Sequence, residues 1–143
     1  MFDAELVDAH PKRATANLTN QRNGYDIRDF KLSIAIAPTK LNERTEWFLE
    51  KATEIGIDEV KLFASYHSER RVANVERFKK IVVAAMKQSV KSKMPVVEDI
   101  VSFEKLVKQD FDGQKFIAWI DDDVKEQLCD LYKKSENVMV LIG

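Results

Sequence analysis

Apolar and polar residues alternate over two stretches near the start of the chain, DAELVDA and ATANLTN, which flank the turn-like segment HPKR. Alternation of this kind is typical of a β-strand with one face toward solvent. We therefore predict two short strands joined by a turn. The next stretch, NQRNGYDIRD, is polar and contains Gly24, which predicts a linker.

From Phe30 onward, short apolar runs alternate with segments of helical periodicity. The predicted strands lie in FKLSIAIA, EVKLFA, PVVEDI, KFIAWI and VMVLI, and the predicted helices in NERTEWFLEKATEIG, VERFKKIVVAAMKQSVKSK, FEKLVKQ and VKEQLCDLYKK. Strands that alternate with helices predict an α/β fold, in which a mostly parallel sheet carries helices on both faces. The pattern leaves the strand order open.

The first predicted helix carries clear boundary signals. Phe48, Ala52 and Ile55 are expected on its inner face, with Trp47 or Phe48 as the anchor. Gly56 is expected to end the helix in a left-handed conformation.

The last apolar run, Val138–Ile142, has the composition of a strand buried on both faces, and Gly143 follows it directly. We therefore expect this strand inside the sheet. Sheets of this class bind ligands beyond the carboxyl ends of their strands, which makes Gly143 part of a candidate ligand edge.

Composition narrows the class of protein. The chain has 143 residues, of which 45% are hydrophobic and 33% charged, as in soluble globular domains. No apolar run approaches the roughly 20 residues that span a bilayer, and the start lacks the pattern of a secretory signal. The single cysteine, Cys129, fits a reducing cytoplasm. His10, His67 and Cys129 lack the spacing of a metal site, so we expect no metal.

Charge is unevenly distributed along the chain. Residues 68–93 carry eight Lys or Arg against two Glu, a net +6, and since the whole chain carries −1 the remainder carries −7. Lys80, Lys87 and Lys91 are expected to form one stripe on the predicted helix. Together with Arg70 and Arg71 in the preceding loop, they are candidates for binding RNA phosphates. Alternatively, the helix simply has a lysine-rich outer face.

Two further segments follow predicted strands. The turn IAPTK directs Thr39 and Lys40 toward the ligand edge, although the helix after it has the charge pattern of an ordinary solvated helix. WIDDDV sets Asp121–Asp123 after a strand, where clustered carboxylates hold magnesium in response-regulator receivers. Alternatively, this is a polar loop in which Asp122 or Asp123 caps the next helix. No catalytic base is assigned from these patterns.

Several segments together resemble one family. IAPTK, ERTEWFLEKATEIGIDEV, SER, RFKKIVVAAMKQSVKSKMP and the final VLIG occur in this order between Leu32 and Gly143. They resemble the bacterial methyltransferases that modify N3 of a uridine in small-subunit ribosomal RNA, which belong to the SPOUT class of knotted α/β proteins. The resemblance implies that residues 1–28 are a remnant of a PUA-like β-barrel with its linker. Residues 29–143 would then be the N-terminal part of a SPOUT domain that lacks the knot.

The resemblance also implies a cofactor, a substrate and roles for residues. S-adenosylmethionine would be the cofactor, and its pocket would begin at Leu141, Ile142 and Gly143. The residues expected on the substrate and RNA side are Thr39, Lys40, Arg70, Arg71, Lys80, Lys87 and Lys91. Lys91 stands where family members often have arginine, which binds phosphate with two hydrogen bonds where lysine cannot.

In the family, the strand matching VMVLIG continues into a Pro-Glu-Gly-Gly loop that builds the knot and the dimer interface. We therefore expect this chain alone to be inactive, to expose an apolar patch and to bind the cofactor negligibly. The complete protein would be a cytoplasmic homodimer that acts on the RNA of the small ribosomal subunit. The alternatives are a receiver-like magnesium-binding module that uses Asp121–Asp123, and an RNA-binding domain without enzymatic activity.

Overall fold

The computed structural model describes residues 2–23, 28–121 and 123–143. The two strands predicted at the start, β1 (Phe2–Asp8) and β2 (Thr15–Gln21), form an antiparallel hairpin. Almost all of its side chains are exposed, including Leu18 at 69%. The hairpin is therefore held by its backbone hydrogen bonds and not by a core of its own. Gly24, in the predicted linker, lies outside the described residues.

The larger part of the chain forms a parallel sheet with interspersed helices. The strands are β3 (Leu32–Ile36), β4 (Glu59–Ala64), β5 (Val96–Val97), β6 (Val101–Ser102), β7 (Gln114–Ile117) and β8 (Val138–Ile142). The helices are α1 (Asn42–Ile55), α2 (Val75–Gln88), α3 (Phe103–Lys108) and the single turn α4 (Leu128–Leu131). The strand order is β5-β4-β3-β8-β7, and β6 pairs with β4. All of these pairings are parallel, so the predicted α/β class is confirmed.

Each face of the sheet carries its own core, because adjacent residues of a strand point to opposite faces. In β4, Leu62 packs with Leu49 of α1 and Phe78 of α2, whereas Phe63 packs with Leu106 of α3. Helices therefore cover both faces, as expected.

The final strand β8 lies between β3 and β7, with Ile34 and Phe116 both opposite Val140. Val138 and Met139 are 6% and 2% exposed. The prediction that this strand lies inside the sheet is confirmed. Gly143 consequently lies at the carboxyl edge of a central strand.

Helix α1 ends as predicted but packs on a different face. Gly56 has a φ of 106° and its N–H donates to the carbonyl of Ala52, which confirms the left-handed cap. The predicted inner residue Ile55 is 77% exposed, so that part of the prediction is wrong. Phe48 is partly buried against the core, whereas Trp47 is 64% exposed.

The buried face of α1 consists of Thr45, Leu49 and Thr53. Threonine is tolerated there because its hydroxyl is satisfied locally; that of Thr53 donates to the carbonyl of Leu49 at 2.7 Å. A prediction based on apolar residues alone misses such positions.

Helix α2 ends at Gln88, earlier than predicted. The N–H of Lys91 donates to the carbonyl of Met86, and Val90 has a φ of 56°. This is a Schellman-type end, in which one left-handed residue stops the helix. Lys91 therefore lies beyond the helix, and the predicted stripe reduces to Lys80 and Lys87.

The helix predicted over VKEQLCDLYKK is wrong, because only Leu128–Leu131 is helical. Gln127 is the N-cap residue of this turn, so Asp123 does not cap it. Asp122 lies outside the described residues. Leu131 is 47% exposed and packs against no core, and short helices depend on such packing.

Across the described parts of the chain, every helix is too short or too polar to cross a lipid bilayer.

Candidate nucleic-acid interface

Loops that follow three strands meet at the carboxyl edge of the sheet, because parallel strands end on the same side. The residues concerned are Thr39 and Lys40 after β3, Arg70 and Arg71 after β4, and Gly143 after β8. All were predicted as site residues from the sequence. Their common edge is where sheets of this class place ligands.

The loop after β3 is shaped by Thr39. Its hydroxyl donates to the carbonyl of Leu41 at 2.7 Å, and its N–H donates to the hydroxyl of Thr45 at 3.2 Å. Thr39 therefore fixes the turn that begins α1. Lys40 extends into solvent with 77% of its side chain exposed.

The loop after β4 is tied to this turn. The guanidinium of Arg70 donates to the carbonyl of Lys40 at 2.8 Å, and the ammonium of Lys40 lies 3.0 Å from Glu69. A depression of about 260 Å³ lies among these side chains, with Arg71 and Val72 completing its lining. A second depression of about 790 Å³ shares Arg70 and Val72 and reaches the start of α2.

The cations at this edge are available to a ligand. The Lys40–Glu69 pair is exposed on both sides, and such pairs contribute only about 0–1 kcal/mol. Arg71 is exposed and forms no ion pair within the described residues. The same holds for Lys80 and Lys87 of α2, which begins near this edge and runs toward the amino edge. A phosphate could therefore bind these groups without breaking a strong internal contact.

Other basic residues of the segment 68–93 have carboxylate partners, and those of Arg77 and Lys93 are largely buried. The ion pairs are Arg77 with Glu46 at 2.6 Å, Lys79 with Glu76 at 2.8 Å and Lys93 with Asp58 at 2.8 Å. The net +6 in the sequence thus overstates the free positive charge. Sequence spacing alone does not reveal which cations have a carboxylate from another element.

The structure divides the predicted RNA-binding residues between two edges of the sheet. Thr39, Lys40, Arg70 and Arg71 lie at the carboxyl edge. Lys91 instead lies next to Gly56, at the amino edge, with its ammonium 3.4 Å from the position that a Cβ on Gly56 would take.

At the amino edge, Asp58 binds three donors. Its carboxylate lies 2.6 Å from Arg28 and 2.8 Å from Lys93, and it accepts the N–H of Leu32 at 2.8 Å. Burial alone would raise the pKa of Asp58, but the hydrogen bonds from Lys93 and Leu32 and the charge of Arg28 outweigh it, so the pKa lies below its usual value. Arg28 also donates to the carbonyl of Gly56.

Glu59 is buried beside it, with 5% exposure. It accepts the hydroxyl of Ser33 at 2.8 Å and lies 3.1 Å from the ammonium of Lys31 and 3.5 Å from that of Lys61. Burial alone would raise the pKa of Glu59, but Ser33 and the two lysines outweigh it and lower the pKa. The sequence analysis missed both carboxylates. The one available signal was the alternation of Glu59 and Lys61 within an apolar strand.

The predicted cofactor residues offer backbone rather than side-chain chemistry. Leu141 is 3% exposed and packs in the core, and the carbonyls of Leu141 and Ile142 accept N–H groups of Ala118 and Ala37. Gly143 is exposed, and a Cβ there would lie 3.5 Å from the ring of Phe63. At the carboxyl end of β8, Ile142 and Gly143 are thus exposed, whereas Leu141 is buried.

Asp121 and Asp123, after β7, are joined by a local polar contact. Asp121 accepts the N–H of Asp123 at 3.0 Å and the indole N–H of Trp119 at 3.2 Å, and these bonds lower its pKa. Asp122 lies outside the described residues. No group of three or more His, Cys, Asp or Glu side chains suited to a metal ion occurs in the parts of the chain that the structure describes.

Comparison with models of protein families matches residues 27–143 to the RNA methyltransferase domain. The chain belongs to this family. The match covers the whole parallel sheet and all four helices, and it confirms the resemblance drawn from the sequence. Comparison with curated protein sequences gave no match.

Solved structures of similar proteins include a probable rRNA-methyltransferase from Porphyromonas gingivalis. It is 36% identical with a TM-score of 0.86, over 99% of this chain and 61% of that one. The ribosomal RNA small subunit methyltransferase E from Neisseria gonorrhoeae, bound to S-adenosyl methionine, is 23% identical with a TM-score of 0.80, over 97% and 58%. At the latter identity the likeness shows the fold alone. The chain thus spans less than two thirds of the length of either protein.

Proposed function

We propose that this chain is part of a methyltransferase that transfers a methyl group from S-adenosylmethionine to N3 of a uridine in small-subunit ribosomal RNA. The observation that carries the proposal is membership of the RNA methyltransferase family over residues 27–143. The protein from Porphyromonas gingivalis, 36% identical, supports ribosomal RNA as the substrate class. The cytoplasm, where ribosomes are assembled, is the proposed location.

The proposed domain division is the one that the sequence resemblance implies. Residues 1–28 would be a remnant of a PUA-like β-barrel with its linker, which agrees with a hairpin whose apolar side chains are exposed. Residues 29–143 would be the N-terminal part of the SPOUT domain. The knot and the dimer interface would be built by the segment that follows Gly143 in the complete protein, which would act as a homodimer.

We propose different roles for two groups of residues at the carboxyl edge. Bound S-adenosylmethionine supplies the methyl group. Leu141, Ile142 and Gly143 would form one edge of its pocket, and Lys40 with its neighbours would hold the RNA. N3 of uridine must lose its proton before it attacks, and donor and acceptor must be held in line. No described side chain is assigned as the base.

The proposed RNA path begins at Lys40, Arg70 and Arg71 and continues along the outer face of α2. Lys80 and Lys87 lie seven residues apart and therefore on the same face of the helix. Lys91, beyond the helix, would extend the path toward the amino edge. Replacing both helix lysines with alanine should lower the salt dependence of RNA binding without altering sequence preference.

Nucleoside analysis tests the reaction. Unmodified small-subunit RNA is incubated with the complete protein and labelled S-adenosylmethionine, and the digested product is separated by mass spectrometry. We expect N3-methyluridine. Methylation of a ring carbon or of the ribose would contradict the proposal.

Calorimetry on the 143-residue chain tests the position of the pocket. Affinity depends on enclosing the ligand on most sides, and Leu141–Gly143 supply one edge. We therefore expect negligible binding of S-adenosylmethionine by this chain. Tight binding would mean that the pocket lies elsewhere in the described fold.

A further inference from the structure

The side chain of Tyr66 lies in solvent at the tip of the loop after β4, with 91% of the residue exposed. Its only described aromatic neighbour is His67, whose ring meets it edge-on at 4.9 Å and 87°. An edge-on contact leaves at least one face of the tyrosine ring open. The ring therefore contributes little to the core of the fold.

The turn that carries Tyr66 is nevertheless well defined. The N–H of Ser65 donates to the hydroxyl of Ser68 at 2.8 Å, and the N–H of Ser68 donates to the carbonyl of Ser65 at 3.1 Å. The two hydroxyls lie 2.9 Å apart. The polar groups of Ser65 and Ser68 therefore stabilise the turn. The tyrosine ring is not needed for this and lies exposed at the tip.

The same loop continues directly into the cations of the carboxyl edge. Two residues after Ser68, Arg70 binds the carbonyl of Lys40, and Arg71 follows it. An exposed ring beside exposed cations is the combination that binds single-stranded nucleic acid, because phosphates bind the cations while a base stacks on the ring.

We propose that Tyr66 is a stacking platform for an unpaired base of the RNA that binds at this edge. The inference rests on the proposed function in one respect, that RNA is the ligand. It adds a residue that holds a base, whereas Lys40, Arg70 and Arg71 hold the backbone. Stacking on one aromatic ring changes affinity by about 10-fold or more.

The test measures binding of a single-stranded oligouridylate of about 12 nucleotides to the 143-residue chain. Tyr66→Ala and Tyr66→Leu should each weaken binding about 10-fold, whereas Tyr66→Phe should bind as the native chain does. The salt slope should stay unchanged in all three, because no phosphate contact is lost. Trp47→Ala, at another exposed aromatic residue, is the matched control and should have no effect.

A second measurement isolates the base. An oligonucleotide with abasic sites should bind the native chain and Tyr66→Ala equally, because neither has a base to stack. Native affinity in Tyr66→Ala, or retention of binding in Tyr66→Leu, would overturn the stacking role while leaving the cationic interface intact. Absence of salt-dependent binding by the native chain would overturn the RNA interface itself, and the stacking role with it.

Discussion

The charged residues at the two edges of the parallel sheet differ in burial and in ion pairing. At the amino edge, Asp58 and Glu59 are buried and each is surrounded by cations and hydrogen-bond donors. At the carboxyl edge, Lys40 has only an exposed partner, and Arg71 has no ion pair among the described residues. The sequence contains similar residues in both places, so composition alone does not distinguish them.

The difference indicates which edge stabilises the fold and which meets a ligand. Buried carboxylates with several partners connect Arg28, β3 and the segment after α2 to the start of β4. Exposed cations on loops contribute little to stability and are free to bind an anion. Changes at the amino edge should therefore alter stability and not RNA binding, and changes at the carboxyl edge should do the reverse.

The largest effect on stability is expected from Asp58→Ala. The substitution leaves the N–H of Leu32 without its acceptor and removes the common partner of Arg28 and Lys93. We expect a loss of about 3 kcal/mol in the free energy of unfolding, measured by urea denaturation. Glu50→Gln, which removes a pair on the exposed face of α1, is the control and should cost less than about 0.5 kcal/mol. Equal losses of unfolding free energy in Asp58→Ala and Glu50→Gln would contradict a stabilising role for the amino edge.

A somewhat smaller effect is expected from Gly56→Val. Gly56 has a φ of 106°, and a β-branched residue is strained in that conformation. Thermal unfolding should show a loss of about 2 kcal/mol, and Gly56→Asn should recover part of it because asparagine tolerates a left-handed backbone. Native stability in Gly56→Val would mean that the cap is not required.

Acid should reduce the stability that the buried carboxylates of the amino edge contribute. The pKa values of Asp58 and Glu59 are lower in the folded protein than in the unfolded chain. Their contribution to stability is therefore complete above the unfolded values of about 4 and is lost as pH falls through the folded values. Denaturation at several pH values should show this loss below about pH 4 and a smaller loss in Glu59→Gln. If Glu59→Gln lost stability with falling pH as the native chain does, Glu59 would not contribute to the acid dependence.

The fold class and the central position of β8 could be predicted because both depend on local pattern. Five apolar runs separated by helical segments indicate a parallel sheet, and the run Val138–Ile142 has no polar face to expose. Strand order could not be predicted, since it depends on pairings between distant segments. The helix predicted over VKEQLCDLYKK failed for a related reason: periodicity predicts an apolar face but not whether a surface exists to cover it.

The candidate site was predicted in part for similar reasons. Residues that follow strand ends, such as Thr39 and Arg70, fall at the ligand edge of any parallel sheet, so their position follows from topology. The position of Lys91 on the helix was wrongly predicted because the left-handed Val90 ends α2 before it, and no apolar pattern marks that end. Asp58 and Glu59 were missed because a charged pair beside a turn usually lies in solvent.

The central claim is that RNA binds through the cations of the carboxyl edge, and salt dependence tests it most directly. Affinity for single-stranded RNA is measured across salt concentrations for the native chain, for Lys40→Ala/Arg71→Ala, and for Lys31→Ala/Lys93→Ala at the amino edge. Both double variants remove two positive charges. Because Lys31 and Lys93 pair with the buried Glu59 and Asp58, binding is measured at a temperature at which unfolding curves show both variants to be folded. We predict that the slope falls by about 1.4 units in the first and stays unchanged in the second. Equal slopes in the two variants would contradict the account.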